Sequence, residues 1–163
     1  MTEIHFKLNG EPAHAKVHPG LSVLTLLRET FDLAGTKPGC EEGECGACTI
    51  LLDGQAVNAC LVPAAVLDRR EVLTIEGLAA TDGSLHPVQR AFVEAGAIQC
   101  GFCTPGMIMR TVAFLEERPD PTPDEIARSL EGNLCRCTGY VKIQQAIRCA
   151  AETLSADTSR REP

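Results

Sequence analysis

Eight of the nine cysteines in this chain of 163 residues fall into two groups of four, and any fold must gather each group together. The first group opens in the stretch PGCEEGECGACTILLDG as Cys40-x4-Cys45-x2-Cys48, and Cys60 follows after eleven intervening residues. The second joins Cys100-x2-Cys103, in QCGFC, to Cys135-x-Cys137, in CRC. The redox setting decides what such cysteines do. The start, MTEIHFKLNG, is charged and alternating, without the apolar core of a signal peptide. No apolar run reaches the length of a membrane span, so no direct membrane contact is expected. A cytoplasmic location is therefore expected, with export alongside a signal-bearing partner as the alternative. Thiols in the cytoplasm stay reduced, so nine cysteines point to metal rather than to disulfides.

A x4/x2 opening is the plant-type [2Fe–2S] spacing, in which a loop wraps the cluster and a later strand supplies the last thiolate. Two ferric ions, two sulfides and four thiolates sum to a formal charge of about −2. Such an anion needs backbone N–H donors close by, and Gly39, Gly43 and Gly46 let the chain curl around it. Glu41, Glu42 and Glu44 would repel that charge if they pointed inward, so they are expected to face solvent or a partner. In the second group, Cys103 precedes Thr104-Pro105, read as a cap and first helical position, and Cys137 precedes Thr138-Gly139, read as the start of the last helix. Helix N-termini carry partial positive charge and unpaired N–H groups, which suits an anionic cluster. Zinc is the competing occupant: C-x2-C with C-x-C fits a structural zinc site, whereas the x4/x2 loop fits one poorly. Cys149 lies outside both groups and reads as an ordinary helical residue, and His5, His14, His18 and His86 have no metal-ligand spacing.

The rest of the chain divides at about residue 77. Before it the pattern is of strands: Ile4, Phe6 and Leu8 alternate with polar residues, Asn9-Gly10 turns the chain, and Ala13, Ala15 and Val17 return. Ser22 caps a short helix over VLTLLRETF, Asp53-Gly54 turns a second hairpin, and VLTIEG (72–77) reads as one more strand. After it the pattern is helical, with four helices: PVQRAFVEAG, PGMIMRTVAFLEER, a third opened by the Thr122–Glu125 capping box and ended by Gly132, and VKIQQAIRCAAETL. The expectation is an α+β chain with a first domain over 1–76, a linker over 77–86, a helical domain over 87–154 and a loose tail over 155–163. Each domain has a thin core that a metal would staple. A net charge of −7, with one Tyr, five Phe and no Trp, excludes a nucleic-acid surface.

Taken together, GCEEGECGACTILLDG, QCGFCTPGMI and GNLCRCTGY closely resemble the small iron–sulfur subunit of the molybdenum hydroxylases, the xanthine oxidase and aldehyde oxidoreductase family. The likeness runs from residue 3 to about 154, and all eight cysteine positions are present. It implies an N-terminal ferredoxin-like β-grasp domain, a C-terminal four-helix bundle, and a [2Fe–2S] cluster in each. It implies Cys40, Cys45, Cys48 and Cys60 as ligands of one cluster and Cys100, Cys103, Cys135 and Cys137 as ligands of the other. It further implies a large catalytic subunit whose molybdopterin meets Gln99 and lies nearest Cys137, and a medium subunit carrying FAD. Electrons would run from molybdenum through both clusters to FAD or another acceptor, with no substrate turned over by this chain. A free-standing ferredoxin-type carrier is the alternative function, and a zinc-stapled interaction module stands behind it.

Overall fold

The structure, a computed structural model, describes residues 1–159, with side chains as far as Ala156. Strand β1 (Thr2–Leu8) pairs antiparallel with β2 (Glu11–Val17), and Asn9 and Gly10 both take positive φ in the two-residue turn between them. This left-handed pair matches the twist of the strands it joins. Asp53 and Gly54 repeat the device between β3 (Thr49–Leu52) and β4 (Gln55–Asn58). With β5 (Glu71–Leu73), the five strands form one mixed sheet in the order β2-β1-β5-β3-β4, in which β1 and β5 run parallel. The helix expected after Ser22 forms as α1 (Val23–Thr25) and continues as a π turn over Leu26–Thr30. Ser22 Oγ accepts the Thr25 N–H at 3.1 Å, and Leu24 and Leu27 point into the core as expected.

The strand read over 72–77 is shorter than its alternation implies. It stops at Leu73, and Ile75–Gly77 wind into a 3₁₀ turn. The cause is Asn9, whose Oδ1 accepts the Thr74 N–H at 2.8 Å and whose Nδ2 donates to Thr74 Oγ1 at 3.1 Å. A side chain 65 positions away thereby takes over the bonding that a further ladder step would supply.

Four helices follow: α2 (Pro87–Glu94), α3 (Thr104–Glu117), α4 (Pro123–Ser129) and α5 (Val141–Ser159). The Thr122–Glu125 capping box forms, and Gly132 takes φ +86° in the turn beyond α4. Two expectations are corrected. Cys103 itself, not Thr104, occupies the cap position of α3, and α5 begins three residues after Thr138. The expected loose tail is helical through Ser159, since no Gly or Pro interrupts it and Ser155 Oγ donates to Pro119 O at 3.5 Å. Residues 160–163 of that tail lie outside the described residues.

Strand β3 explains how the sheet and the helices meet. All four of its residues are buried, because TILL is an uninterrupted run rather than an alternating one. Ile50 and Leu52 join Ile4, Phe6, Val17, Leu27 and Leu67 in the core under α1, while Leu51 faces the other way among Val88, Met107, Ile126, Ile143 and Ile147. One strand thus serves two cores.

The cap of α2 carries a pH dependence. His86 Nδ1 accepts the Val88 N–H at 3.2 Å, and Gln89 Oε1 accepts the His86 N–H at 3.0 Å. Burial of the ring holds the His86 pKa below its ordinary 6.5. Only the neutral ring can accept, so this stability is present above about pH 6.5 and lost as pH falls through the lower folded value. We expect the melting temperature to drop between about pH 7 and about pH 5, and His86→Asn, whose amide oxygen caps at both, to flatten that drop. Thermal melts of both proteins across the range check this.

Candidate metal centres

The loop over 38–48 is built from left-handed turns. Glu41, Gly43 and Gly46 take φ of 58°, 84° and 66°, which turns successive N–H groups toward a common centre. The N–H groups of Glu42, Glu44 and Cys45 all point at Cys40 Sγ, at 3.4, 3.3 and 3.3 Å, and the Cys40 N–H points back at Cys45 Sγ at 3.3 Å. These bonds have an electrostatic consequence. Donation from Glu42 first, and then from Cys45, lowers the Cys40 pKa to about 7, so its thiolate forms readily near neutrality. Gly39 is required by space rather than by φ: a Cβ there would lie 2.6 Å from Cys45 Sγ. The three glutamates are exposed, as their charge demands.

Of the other two cysteines of this region Cys48 is buried, while Cys60 is half-buried like Cys40 and Cys45. Cys48 opens the approach to β3, and Cys60 follows β4 in a segment tied down by Leu24 N–H to Ala59 O at 3.0 Å and Val23 N–H to Val62 O at 2.8 Å. Asn58 Nδ2 donates to Gly43 O at 2.8 Å, which fastens the cysteine loop to that segment. Burial pushes the Cys48 thiol up to about 12, with Cys60 as its nearest sulfur partner. A thiol so placed stays protonated unless a metal cation displaces the proton.

In the helical half, Cys100 is exposed, Gly101 turns with φ +83°, and Cys103 caps α3. Among the sulfurs of this half, Cys135 is the one supported by Thr138 and Tyr140. Thr138 Oγ1 donates to it at 3.1 Å and the Thr138 N–H at 3.5 Å, while the Cys135 N–H donates to Tyr140 Oη at 2.9 Å. Burial works to raise the Cys135 pKa, but the Thr138 donors together with bonds from Cys137 and Cys103 outweigh it and the net shift is downward. Cys103 is pushed up to about 12 by burial and then by Cys135 beside it. Cys100 and Cys137 bring their sulfurs to 3.5 Å of each other at the surface. Gln99 is exposed in the same loop.

The arrangement of sulfurs tests what the groups fit. Four thiolates on one zinc must converge on a single point. Among the described residues no three His, Cys, Asp or Glu side chains do so. Sulfur hydrogen-bonds sulfur in pairs, Cys40 with Cys45, Cys48 with Cys60, Cys100 with Cys137, and Cys103 with Cys135, and the two pairs of each region lie close enough to feel each other's charge. Two pairs per region, ringed by N–H donors, fit a binuclear centre in which each iron takes two thiolates and shares two sulfides. Three contributors were given no part in the site from the sequence. Thr138 and Tyr140 support Cys135, and Asn133, buried at 5% exposure, reaches into the first loop. All three lie within GNLCRCTGY, but their partners are set by folding.

Two known families match the chain. Residues 6–74 match the family described as a 2Fe-2S iron-sulfur cluster binding domain, and residues 74–148 the family described as a [2Fe-2S] binding domain. The class is thus an iron–sulfur protein with two cluster-binding domains. The chain is 49% identical over 149 residues to the nicotinate dehydrogenase small FeS subunit of Eubacterium barkeri, covering 91% of this chain and 94% of that one. It is 49% identical over 146 residues to the xanthine dehydrogenase iron-sulfur-binding subunit of Escherichia coli O157:H7, covering 88% and 91%. The crystal structure of quinoline 2-oxidoreductase from Pseudomonas putida 86 superposes with a TM-score of 0.90 at 41% identity, covering 95% of this chain and 96% of the matched one. The chain belongs to the small iron–sulfur subunits of the molybdenum hydroxylase family.

Proposed function

We propose that this chain is the electron-relay subunit of a molybdopterin-dependent hydroxylase or dehydrogenase, with a ferredoxin-like β-grasp half and a four-helix-bundle half. The carrying observation is the resolution of eight thiols into two quartets of two pairs each, lined by N–H and O–H donors. In this reading Cys40, Cys45, Cys48 and Cys60 hold one [2Fe–2S] cluster and Cys100, Cys103, Cys135 and Cys137 the other. When bound, each cluster supplies a one-electron redox couple. A two-electron oxidation at a partner's molybdenum is thereby split into single steps.

The surface supports an order. Cys100 and Cys137 are exposed, and Ile98, Phe102, Leu134 and Val141 beside them are 39%, 47%, 58% and 71% exposed. Apolar side chains around reactive sulfurs fit a protein contact, so this end docks the large molybdopterin subunit, with Gln99 bonding the pterin and Cys137 nearest to it. The acidic loop at Glu41, Glu42 and Glu44 lies at the other quartet and faces the acceptor side, where a medium FAD subunit or another carrier takes electrons. Among the described residues no helix is long and apolar enough to cross a membrane. Substrate choice belongs to the large subunit.

Anaerobic purification of the tagged chain with its neighbours tests this. About four irons and matching acid-labile sulfide per chain are expected, together with co-purifying molybdenum and two distinct EPR signals on reduction. A colourless zinc-loaded chain overturns the cluster reading, and an iron-replete monomer free of molybdenum overturns the subunit reading.

A further inference from the structure

The first cysteine loop and the segment before Cys135 touch backbone to backbone. The Leu134 N–H donates to Cys45 O at 2.9 Å. From Cys45 Sγ to Cys135 Sγ the path is therefore covalent except for this one hydrogen bond. Leu134 is poorly placed to hold that bond by itself, since the residue is 58% exposed. Its two chain neighbours hold it instead: Cys135 through its N–H to Tyr140 Oη, and Asn133 through its amide.

Asn133 is buried, and its Nδ2 donates to Gly46 O at 3.0 Å and to Thr49 Oγ1 at 3.1 Å. Thr49 Oγ1 in turn donates to Gly46 O at 2.7 Å, which closes a three-membered ring of bonds at the carbonyl of Gly46, the residue after Cys45. The approach depends on bare backbone. A Cβ on Gly46 would lie 2.4 Å from both Asn133 Nδ2 and Gly132 O, and one on Gly106 would lie 2.2 Å from Gly46 O. The Gly46 peptide is thus held from the Asn133 side by hydrogen bonds and from the α3 side by contact.

We infer that Asn133 is a positioning residue that fixes the separation of the two cysteine loops and keeps the Cys45–Leu134 hydrogen bond closed as the bridge between the two redox centres. This rests on the reading of both quartets as iron–sulfur sites. It adds that electronic coupling between them is set by one buried amide that binds neither. Loss of the two Asn133 bonds leaves Gly46 O with its Thr49 donors alone, all within the first half. Among the described residues no hydrogen bond but that of Cys45 with Leu134 then ties this loop to the segment before Cys135, and the junction is free to open.

The test uses the full chain in its complex, loaded with iron and sulfide. Asn133→Asp keeps the side-chain shape but removes both donors and sets a carboxylate against Gly46 O. Hydrogen exchange at the Leu134 amide is expected to rise about tenfold, the factor that corresponds to about 1.4 kcal/mol of lost closure. The spin–spin splitting between the two reduced centres should weaken, with iron content and the separate signals unchanged. Thr49→Val, which removes only one of the two acceptors, should move both readouts in the same direction by less. It decides the matter if the Asn133 variant fails to load iron. Unchanged exchange overturns the inference. Faster exchange with intact splitting also overturns it, because Asn133 would then be structural only. An iron-free wild type would instead sink the cluster reading on which it rests.

Discussion

Replacing Cys45 by serine is expected to cut bound iron from about four to about two atoms per chain and to abolish one of the two EPR signals. Cys45 Sγ is packed against Gly39 and accepts the Cys40 N–H, so its loss also disturbs the fold of the loop around Cys40. The shorter, harder serine oxygen cannot restore that contact. The second quartet should persist, since its sulfurs are placed by the cap of α3 and by the Thr138 and Tyr140 bonds. Iron analysis and EPR at graded reduction check the outcome. Disappearance of both signals would mean that the quartets assemble only together.

Gly106→Ala should be strongly damaging although the residue binds nothing and takes no positive φ. Its new methyl would meet Gly46 O and Gly46 C, at 2.2 and 3.2 Å, and neither belongs to a side chain that can swing away. Overpacking of this kind costs about 1–3 kcal/mol, a fall of roughly 2–12 °C in melting temperature for a chain of this size. Gly20→Ala is the control: its methyl would make an ordinary 3.6 Å contact with His18 and need no positive φ. Differential scanning calorimetry of both variants should separate them, and equal melting temperatures would show that α3 yields at no cost.

Much of this was legible from the chain alone, and for local reasons. The x4/x2 spacing, the Asn9-Gly10 and Asp53-Gly54 turns, the Ser22 cap and the Thr122–Glu125 box act within a few residues, so pattern suffices to read them. The α+β division also followed from the change of period near residue 77. What escaped were contacts between distant segments. Asn9 ends β5 by bonding 65 positions along the chain, and Asn133 reaches Gly46 across 87. Neither distance leaves a trace in periodicity. The cap of α3 was misplaced by one residue because Thr104-Pro105 carries the usual signature, whereas a cysteine at that position carries none.

The double-faced burial of β3 has a consequence for how such a subunit can be altered. The seam between the halves is not the exposed connector after Gly77 but a layer of side chains behind Leu51. Severing the chain at the connector would strip that layer to water on both pieces. The two halves are therefore expected to unfold together, in a single transition, even where only one of them has lost its metal.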